Sequence, residues 1–277
     1  MATPRAPLRF AEAVSATVSE SRKSGFFFDF DGTIAPIMRD PGAVLPVPGA
    51  VERLQALTSL VGRVAVVSAR PAAFLCERFS RAPQVALFGL YGMQTVVDGR
   101  VRTEAAAEPW APIMRRLAAD AARDLPGEVL IEDKALVVSL HYRAVPALRG
   151  AVERWASGKA VELGLREQHG RMVVELRPPV ECDKGTVIAQ EAETLTRAWY
   201  FGDDISDGRA FDALRCREER DPGFMGVRVA VANRETGDEL ARRADFTVDS
   251  PEDTPVLLEQ VISAFPGHPP PALTLDG

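Results

Sequence analysis

The chain has 277 residues, 46% of them apolar, and a formal net charge of -6. That length allows one large domain or two of ordinary size, and the apolar share favours a packed core over disorder. An acidic balance without a basic stripe argues against a nucleic-acid surface, and no stretch approaches the length of a membrane span.

Residues 8–21 are predicted as a short helix and Phe26-Phe27-Phe28 as a compact apolar strand. Pro48, Gly49 and the spacing of Val51, Leu54 and Leu57 predict a helix ending near Gly62. Apolar strands follow at 64–67 and 85–88. Strands apolar on both faces that alternate with helical stretches are the pattern of a parallel sheet covered by helices. In 96–101 the pair Asp98-Gly99 supplies the turn of a tight hairpin.

The pattern then changes. A helix at 110–125 is followed by strands at 129–132 and 136–141. The next helix opens with Pro146, carries Leu148, Val152, Trp155 and Leu163 on one face, and ends at Gly164. Strands at 165–168 and 172–176 follow it. Helix, two strands, helix, two strands is a self-contained layer, read as an inserted α+β domain over 107–178. After it the first alternation returns, with helix 184–195, strand 198–201, helix 207–214, strands 227–232 and 246–248, and helix 254–265. The expected fold class is α/β, with a Rossmann-like parallel-sheet core built from 1–106 and 179–277. The last twelve residues hold Pro266, Pro269, Pro270 and Pro271 and read as a mobile tail. Cys76, Cys182 and Cys216 lack metal-ligand spacing and are expected as free thiols in a reducing, cytoplasmic compartment. No continuous apolar run precedes Phe26, so no signal peptide is expected.

Four segments carry chemistry. Asp29 and Asp31 stand two apart at the end of an apolar strand, so their side chains point the same way, into the crevice at the carboxyl edge of a parallel sheet. One carboxylate can attack a phosphoryl centre while the other protonates the leaving oxygen. Ser68, after the second strand, offers a hydroxyl to a phosphate oxygen. Lys184, at the opening of a helix, adds its ammonium to the helix's free amides. In Gly202-Asp203-Asp204-Ile205-Ser206-Asp207, three carboxylates in five residues repel one another, and a hard cation such as magnesium relieves that repulsion. Each segment also has a plainer reading: an Asx turn, a helix cap, a surface lysine and a solvated helix N-terminus. What favours chemistry is that all four fall at one edge of one sheet, where together they complete a phosphoryl-transfer site.

In this order the four segments resemble the motifs of the haloacid dehalogenase superfamily of phosphatases. The resemblance covers nearly the whole chain and makes 107–178 a cap. It implies an aspartyl-phosphate on Asp29, with Asp31 as general acid and then base. Ser68 and Lys184 would hold the phosphoryl group. Magnesium would be bound by Asp29, the Asp31 carbonyl and Asp203, with Asp204 or Asp207 in support. Within that superfamily the chain looks like the trehalose-6-phosphate phosphatases. The matching segments are Asp31-Gly32-Thr33-Ile34-Ala35-Pro36-Ile37, Gly89-Leu90-Tyr91-Gly92, Ser139-Leu140-His141-Tyr142-Arg143 and Glu175-Leu176-Arg177-Pro178. Glu132 and Lys134 fit that family's acidic-x-lysine element. The substrate contacts this implies are Arg70, Gly92, Gln94, Glu132, Lys134, His141, Arg143, Glu175 and Arg177. The sequence departs from the family pattern at Ala69, Gln94 and Gly208, which stand for a glycine, a glutamate and an acidic residue. His141, Arg143 and Glu175 have an alternative as a charged, solvent-facing sheet surface. The expected activity is magnesium-dependent hydrolysis of trehalose 6-phosphate to trehalose. The alternatives are sucrose phosphate or glucosylglycerol phosphate as substrate, or a sugar-phosphate sensor without turnover. The expected partner is thus a sugar phosphate, with no nucleic acid and no membrane.

Overall fold

The computed structural model describes residues 8–38, 40–170, 172–232 and 237–268. The mobile tail expected over the last twelve residues falls, from 269 onward, outside them. In chain order the elements are α1 (Phe10–Ser19), β1 (Ser24–Phe28), α2 (Ala50–Leu60), β2 (Arg63–Val67), α3 (Ala72–Arg78), β3 (Ala86–Gly89), β4 (Gln94–Val97) and β5 (Arg100–Thr103). Then come α4 (Ala111–Asp124), β6 (Leu130–Asp133), β7 (Val138–His141), α5 (Arg149–Leu163), β8 (Arg166–Gly170) and β9 (Val173–Arg177). The chain closes with α6 (Lys184–Glu191), β10 (Arg197–Gly202), α7 (Gly208–Arg220), β11 (Met225–Val231), β12 (Phe246–Val248) and α8 (Asp253–Ser263). They fall into two compact units, Met1–Ser68 with Leu75–Leu87 and Asp183–Gly277, and Ala69–Phe74 with Phe88–Cys182. Residues 107–178 lie wholly in the second unit, which also takes 69–74, 88–106 and 179–182.

The first unit carries the α/β parallel sheet, in the order β12-β11-β10-β1-β2-β3. β1 is central, pairing in parallel with β10 on one side and β2 on the other. Its apolar run is buried at every position, as a strand covered on both faces requires. Alternation puts Phe26 and Phe28 on one face, where Phe28 stacks on Phe201 at 4.7 Å and Phe26 on Trp199 at 5.4 Å. Such ring pairs add about 0.5–1.5 kcal/mol each beyond the area they bury. The Trp199 indole donates to Thr17 Oγ1 of α1 at 2.8 Å, so its one polar atom is satisfied within the core. On the opposite face Tyr200 meets Phe211 of α7 edge to face.

In the second unit β6-β7-β9-β8 form an antiparallel sheet. Val138, Leu140, Val174 and Leu176 face Met114, Leu117 and Ala121 of α4 and Val152 and Ala156 of α5 in one core. Ser139, His141, Glu175 and Arg177 alternate with them on the same strands and lie on the other face. Gly164 ends α5 in the left-handed region at φ 66°, as its position predicts. The β4–β5 turn takes φ 52° at Asp98 and 71° at Gly99, the double positive φ of a type I′ hairpin.

Elements depart from the sequence reading at their ends: α6 stops at Glu191 rather than 195, and β11 starts at Met225 rather than 227. Two further departures have clear physical reasons. α7 runs to Arg220, six residues beyond Leu214, where the apolar periodicity stops. That extension is held by charge: Glu218 accepts from Gly226 N and from Arg228, and Arg217 lies over the Phe224 ring. β7 starts at Val138 rather than 136, because Ala135 turns the chain at φ 69°. Cys76, Cys182 and Cys216 are free thiols, and no helix among the described residues is long and apolar enough to cross a membrane.

Candidate active site

The register of the parallel sheet assembles the first cluster. Phe28 pairs with Phe201 and with Val66, so Asp29, Asp203 and Ser68 all lie one or two residues past the same row. Asp29 N donates to Phe201 O at 2.9 Å, which fixes the nucleophile candidate against β10. Asp29, Ser68, Lys184, Asp203 and Asp207 are all buried. Two glycines make room for the carboxylates. A Cβ on Gly32, whose φ is +81°, would meet Asp203 Oδ2 at 2.1 Å, and one on Gly202 would meet the Asp207 carboxylate carbon at 2.4 Å. Asp31 is half-buried and bridges to Ala35 across a tight turn. In that turn Thr33, Ile34 and Ala35 all donate backbone N–H to Phe30 O.

Lys184 opens α6 behind Asp183, whose side chain accepts from Thr186 N at 2.8 Å while Thr186 Oγ1 accepts from Asp183 N at 2.9 Å. This capping box sets the helix start, and with it the place of the ammonium. Lys184 Nζ lies 2.6 Å from Asp207 Oδ1 and 2.8 Å from Asp29 Oδ1. Asp207 Oδ1 also accepts from the Tyr200 hydroxyl at 2.6 Å, and Oδ2 accepts from the N–H groups of Asp203 and Asp204. Asp204 instead turns its carboxylate to Ile205 N, at 2.6 Å. The carboxylates whose oxygens come within 4.8 Å of one another are Asp29, Asp203 and Asp207, not Asp204.

The electrostatics of this cluster are unbalanced. Burial first, and then the Asp207 and Asp203 charges, push the Asp29 carboxyl well above its ordinary value despite Lys184. Burial alone would lower the Lys184 pKa, but the Asp207 and Asp29 charges outweigh it and raise it. The Tyr200 hydroxyl is likewise pushed up by burial and by the Asp207 charge beside it. Three carboxylates thus converge on one ammonium, and a hard cation relieves repulsion of this kind. Asp207 already takes four donors, so Asp29 and Asp203 are the carboxylates suited to hold the ion.

The trehalose-phosphatase family model matches residues 27–251. The chain belongs to that family. It is 36% identical over 255 residues to the trehalose-phosphate phosphatase of Mycobacterium leprae, across 83% of this chain and 56% of that one. The corresponding Mycobacterium marinum protein is 36% identical over 238 residues, across 81% and 58%. The chain thus spans a little over half the length of these curated relatives. The C-terminal domain of the C. albicans trehalose-6-phosphate phosphatase superposes with a TM-score of 0.73 at 21% identity, across 95% of this chain and 99% of that domain, and shares its fold.

The second cluster lies on the polar face of the antiparallel sheet. Glu132 pairs with Ser139, Ser139 with Glu175, and Glu175 with Gln168, so four polar side chains form one cross-strand row. His141 and Arg177 lie two residues along, on the same face. Lys134, Ser139, Glu175 and Arg177 are buried on this face, while Glu132, His141 and Gln168 are half-buried. Glu175 Oε1 accepts from Lys134 Nζ at 2.8 Å and from Ser139 Oγ at 2.6 Å, and Oε2 accepts from the Tyr91 hydroxyl. Glu132 lies 3.6 Å from Lys134 and 3.1 Å from His141 Nε2. Burial would raise the Glu175 pKa, yet the Lys134 charge and the three donors bring it down to about 2. Burial would likewise raise Glu132, but the His141 hydrogen bond and Lys134 lower it. Lys134 is raised by Glu175 and Glu132 against the opposing effect of burial and of Arg70.

The other expected contacts lie outside this row. Arg70 is buried with its guanidinium 4.6 Å over the Phe74 ring. Gln94 Oε1 accepts from Ala72 N at 3.0 Å. Gly92 takes φ 96° in the turn after β3, and Arg143 is half-buried in the turn after β7. Sequence reasoning assigned no role to Tyr91, Ser139, Gln168 or Tyr200. Tyr91 and Ser139 sit inside the matching segments, but only strand register shows that Ser139 and Gln168 flank Glu175.

Proposed function

We propose that this chain is a magnesium-dependent phosphomonoesterase that hydrolyses trehalose 6-phosphate to trehalose and phosphate, with Asp29 as nucleophile. The observation that carries the reading is the buried Asp29 carboxylate held 2.8 Å from the Lys184 ammonium, in a family of trehalose-phosphatases. A carboxylate oxygen of Asp29 attacks phosphorus and the bond to the sugar oxygen breaks. Asp31 gives that oxygen its proton. The resulting aspartyl-phosphate is then hydrolysed by a water whose proton returns to Asp31. Lys184 and the Ser68 hydroxyl hold the non-bridging oxygens, and the Asp207–Tyr200 pair keeps the ammonium in place. Asp29 and Asp203, with the Asp31 carbonyl, would hold magnesium, which supplies the positive charge that a dianionic phosphate needs beside three carboxylates.

The second unit supplies the sugar preference in this reading. Its Glu132, Lys134, His141 and Glu175 present hydrogen-bond donors and acceptors side by side. That suits neutral hydroxyls, whose recognition depends on directed hydrogen bonds. Arg143 is assigned to the same task. The free thiols go with a cytoplasmic location.

The test is phosphate release from trehalose 6-phosphate, sucrose phosphate and glucosylglycerol phosphate, each with magnesium and with a chelator. Trehalose 6-phosphate should give the highest kcat/KM, and the chelator should abolish turnover. A better substrate among the other two would overturn the sugar assignment, and chelator-resistant turnover the metal assignment.

A further inference from the structure

Tyr91 sits on backbone that its residue type disfavours. Leu90, Tyr91 and Gly92 have φ of 50°, 61° and 96°, and a non-glycine residue in the left-handed region persists only where its surroundings over-determine it. They do so here. Leu90 is buried in a cluster with Met93, Leu136 and Val137. The Tyr91 ring, itself buried, lies under the Arg177 guanidinium at 4.9 Å. Arg177 Nη2 donates to Cys182 O at 3.1 Å, while its Nη1 is buried without a hydrogen-bond partner. A guanidinium held in this way braces a ring.

The hydroxyl at the end of that ring joins two polar side chains of the sheet. It accepts from Gln168 Nε2 at 3.3 Å and donates to Glu175 Oε2 at 2.5 Å. Lys134 and Ser139 both engage the other oxygen, Oε1. Tyr91 is therefore the contact that stops the carboxylate from turning about its last bond and that presents Oε2 in one direction.

We propose that Tyr91 is a positioning residue for sugar recognition: it aims Glu175 Oε2 at a substrate hydroxyl, with Arg177 and Gln168 holding Tyr91 in register. This rests on the reading of Glu175 as a sugar-binding group. Tyr91 touches no reacting atom, so it acts on KM for the sugar phosphate and not on the phosphoryl chemistry.

Tyr91→Phe keeps the ring and its contact with Arg177 and removes only the hydroxyl. Kinetics are measured on the wild type, Tyr91→Phe, Glu175→Gln and the double variant, with trehalose 6-phosphate and with a small aryl phosphate. Loss of one hydrogen bond to a charged group should raise KM for the sugar phosphate about tenfold. kcat and the aryl-phosphate parameters should stay within about twofold, and the change should add little in the Glu175→Gln background. Equal losses on both substrates would make Tyr91 merely structural and overturn the proposal. So would an unchanged KM for the sugar phosphate, or a full tenfold effect in the Glu175→Gln background. Those failures leave the substrate reading intact. A wild type that turns over the aryl phosphate but not trehalose 6-phosphate overturns that reading, and this inference with it.

Discussion

The two buried polar clusters are made of the same parts and balanced differently. In the first unit, three carboxylates converge on one ammonium, and Asp29 is driven up by burial and by its neighbours' charge. In the second, Glu175 has Lys134 at 2.8 Å, Ser139 and Tyr91 as donors, and is driven down. A carboxylate short of positive charge is a site for something cationic to arrive. One already satisfied is an oriented acceptor, ready for a neutral hydroxyl. The contrast means that one substitution, carboxylate to amide, should have opposite effects on stability in the two units.

The largest expected effect is on activity. Asp29→Asn should lower phosphate release by at least about a thousandfold, since the proposed nucleophile has no substitute. In a chelator the same variant should be more stable than the wild type, by about 1 kcal/mol, because it removes one of three mutually repelling buried carboxylates. Lys184 keeps Asp207 at 2.6 Å in that variant. A urea titration in chelator checks the sign, and a destabilised Asp29→Asn would break the comparison. Lys184→Met tests the other side of the same balance. Stranding three buried carboxylates without their ammonium should cost about 3–5 kcal/mol, read as a lower urea midpoint that added magnesium partly restores. An unchanged midpoint would show that the surplus charge is already screened.

Much of this was legible in the sequence because parallel sheets are simple. Apolar runs at 26–28, 64–67 and 198–201 place whatever follows them at one edge, so the sequence alone groups Asp29, Ser68 and Asp203. The second cluster was harder to read. Ser139-Leu140-His141 and Glu175-Leu176-Arg177 alternate polar and apolar, which is equally the signature of a sheet with one wet face. What buries the middle of that face is tertiary: Tyr91 meets Glu175 and Gln168 there from a turn whose positive φ no local residue preference announces. Asp207 shows the same limit on a smaller scale. Asp203, Asp204 and Asp207 look interchangeable in sequence, and only the short 3-10 turn at Ile205–Asp207 brings Asp207 under Lys184 and sends Asp204 to its own backbone.

The smallest effect sharpens the contrast from the balanced side. Glu175 has a folded pKa of about 2 against an ordinary 4.5. A carboxyl depressed on folding adds stability that is full above its unfolded value and is lost as pH falls through the folded one. Its contribution should therefore be complete at neutral pH, begin to fall near pH 4.5 and vanish near pH 2. A depression of that size corresponds to about 3 kcal/mol as an upper figure. Glu175→Gln should thus be less stable than the wild type at pH 7, and the gap should close between those two values. The single carbonyl oxygen of the amide can still accept from Ser139 or from Tyr91, though not from both, and Lys134 retains Glu132 at 3.6 Å, so the measured gap should be smaller than the full figure. Urea midpoints of both proteins from pH 7 to 2.5 decide it. A gap that stayed constant across this range would assign the loss to packing rather than charge, and Glu175 would no longer stand as the counterpart of Asp29.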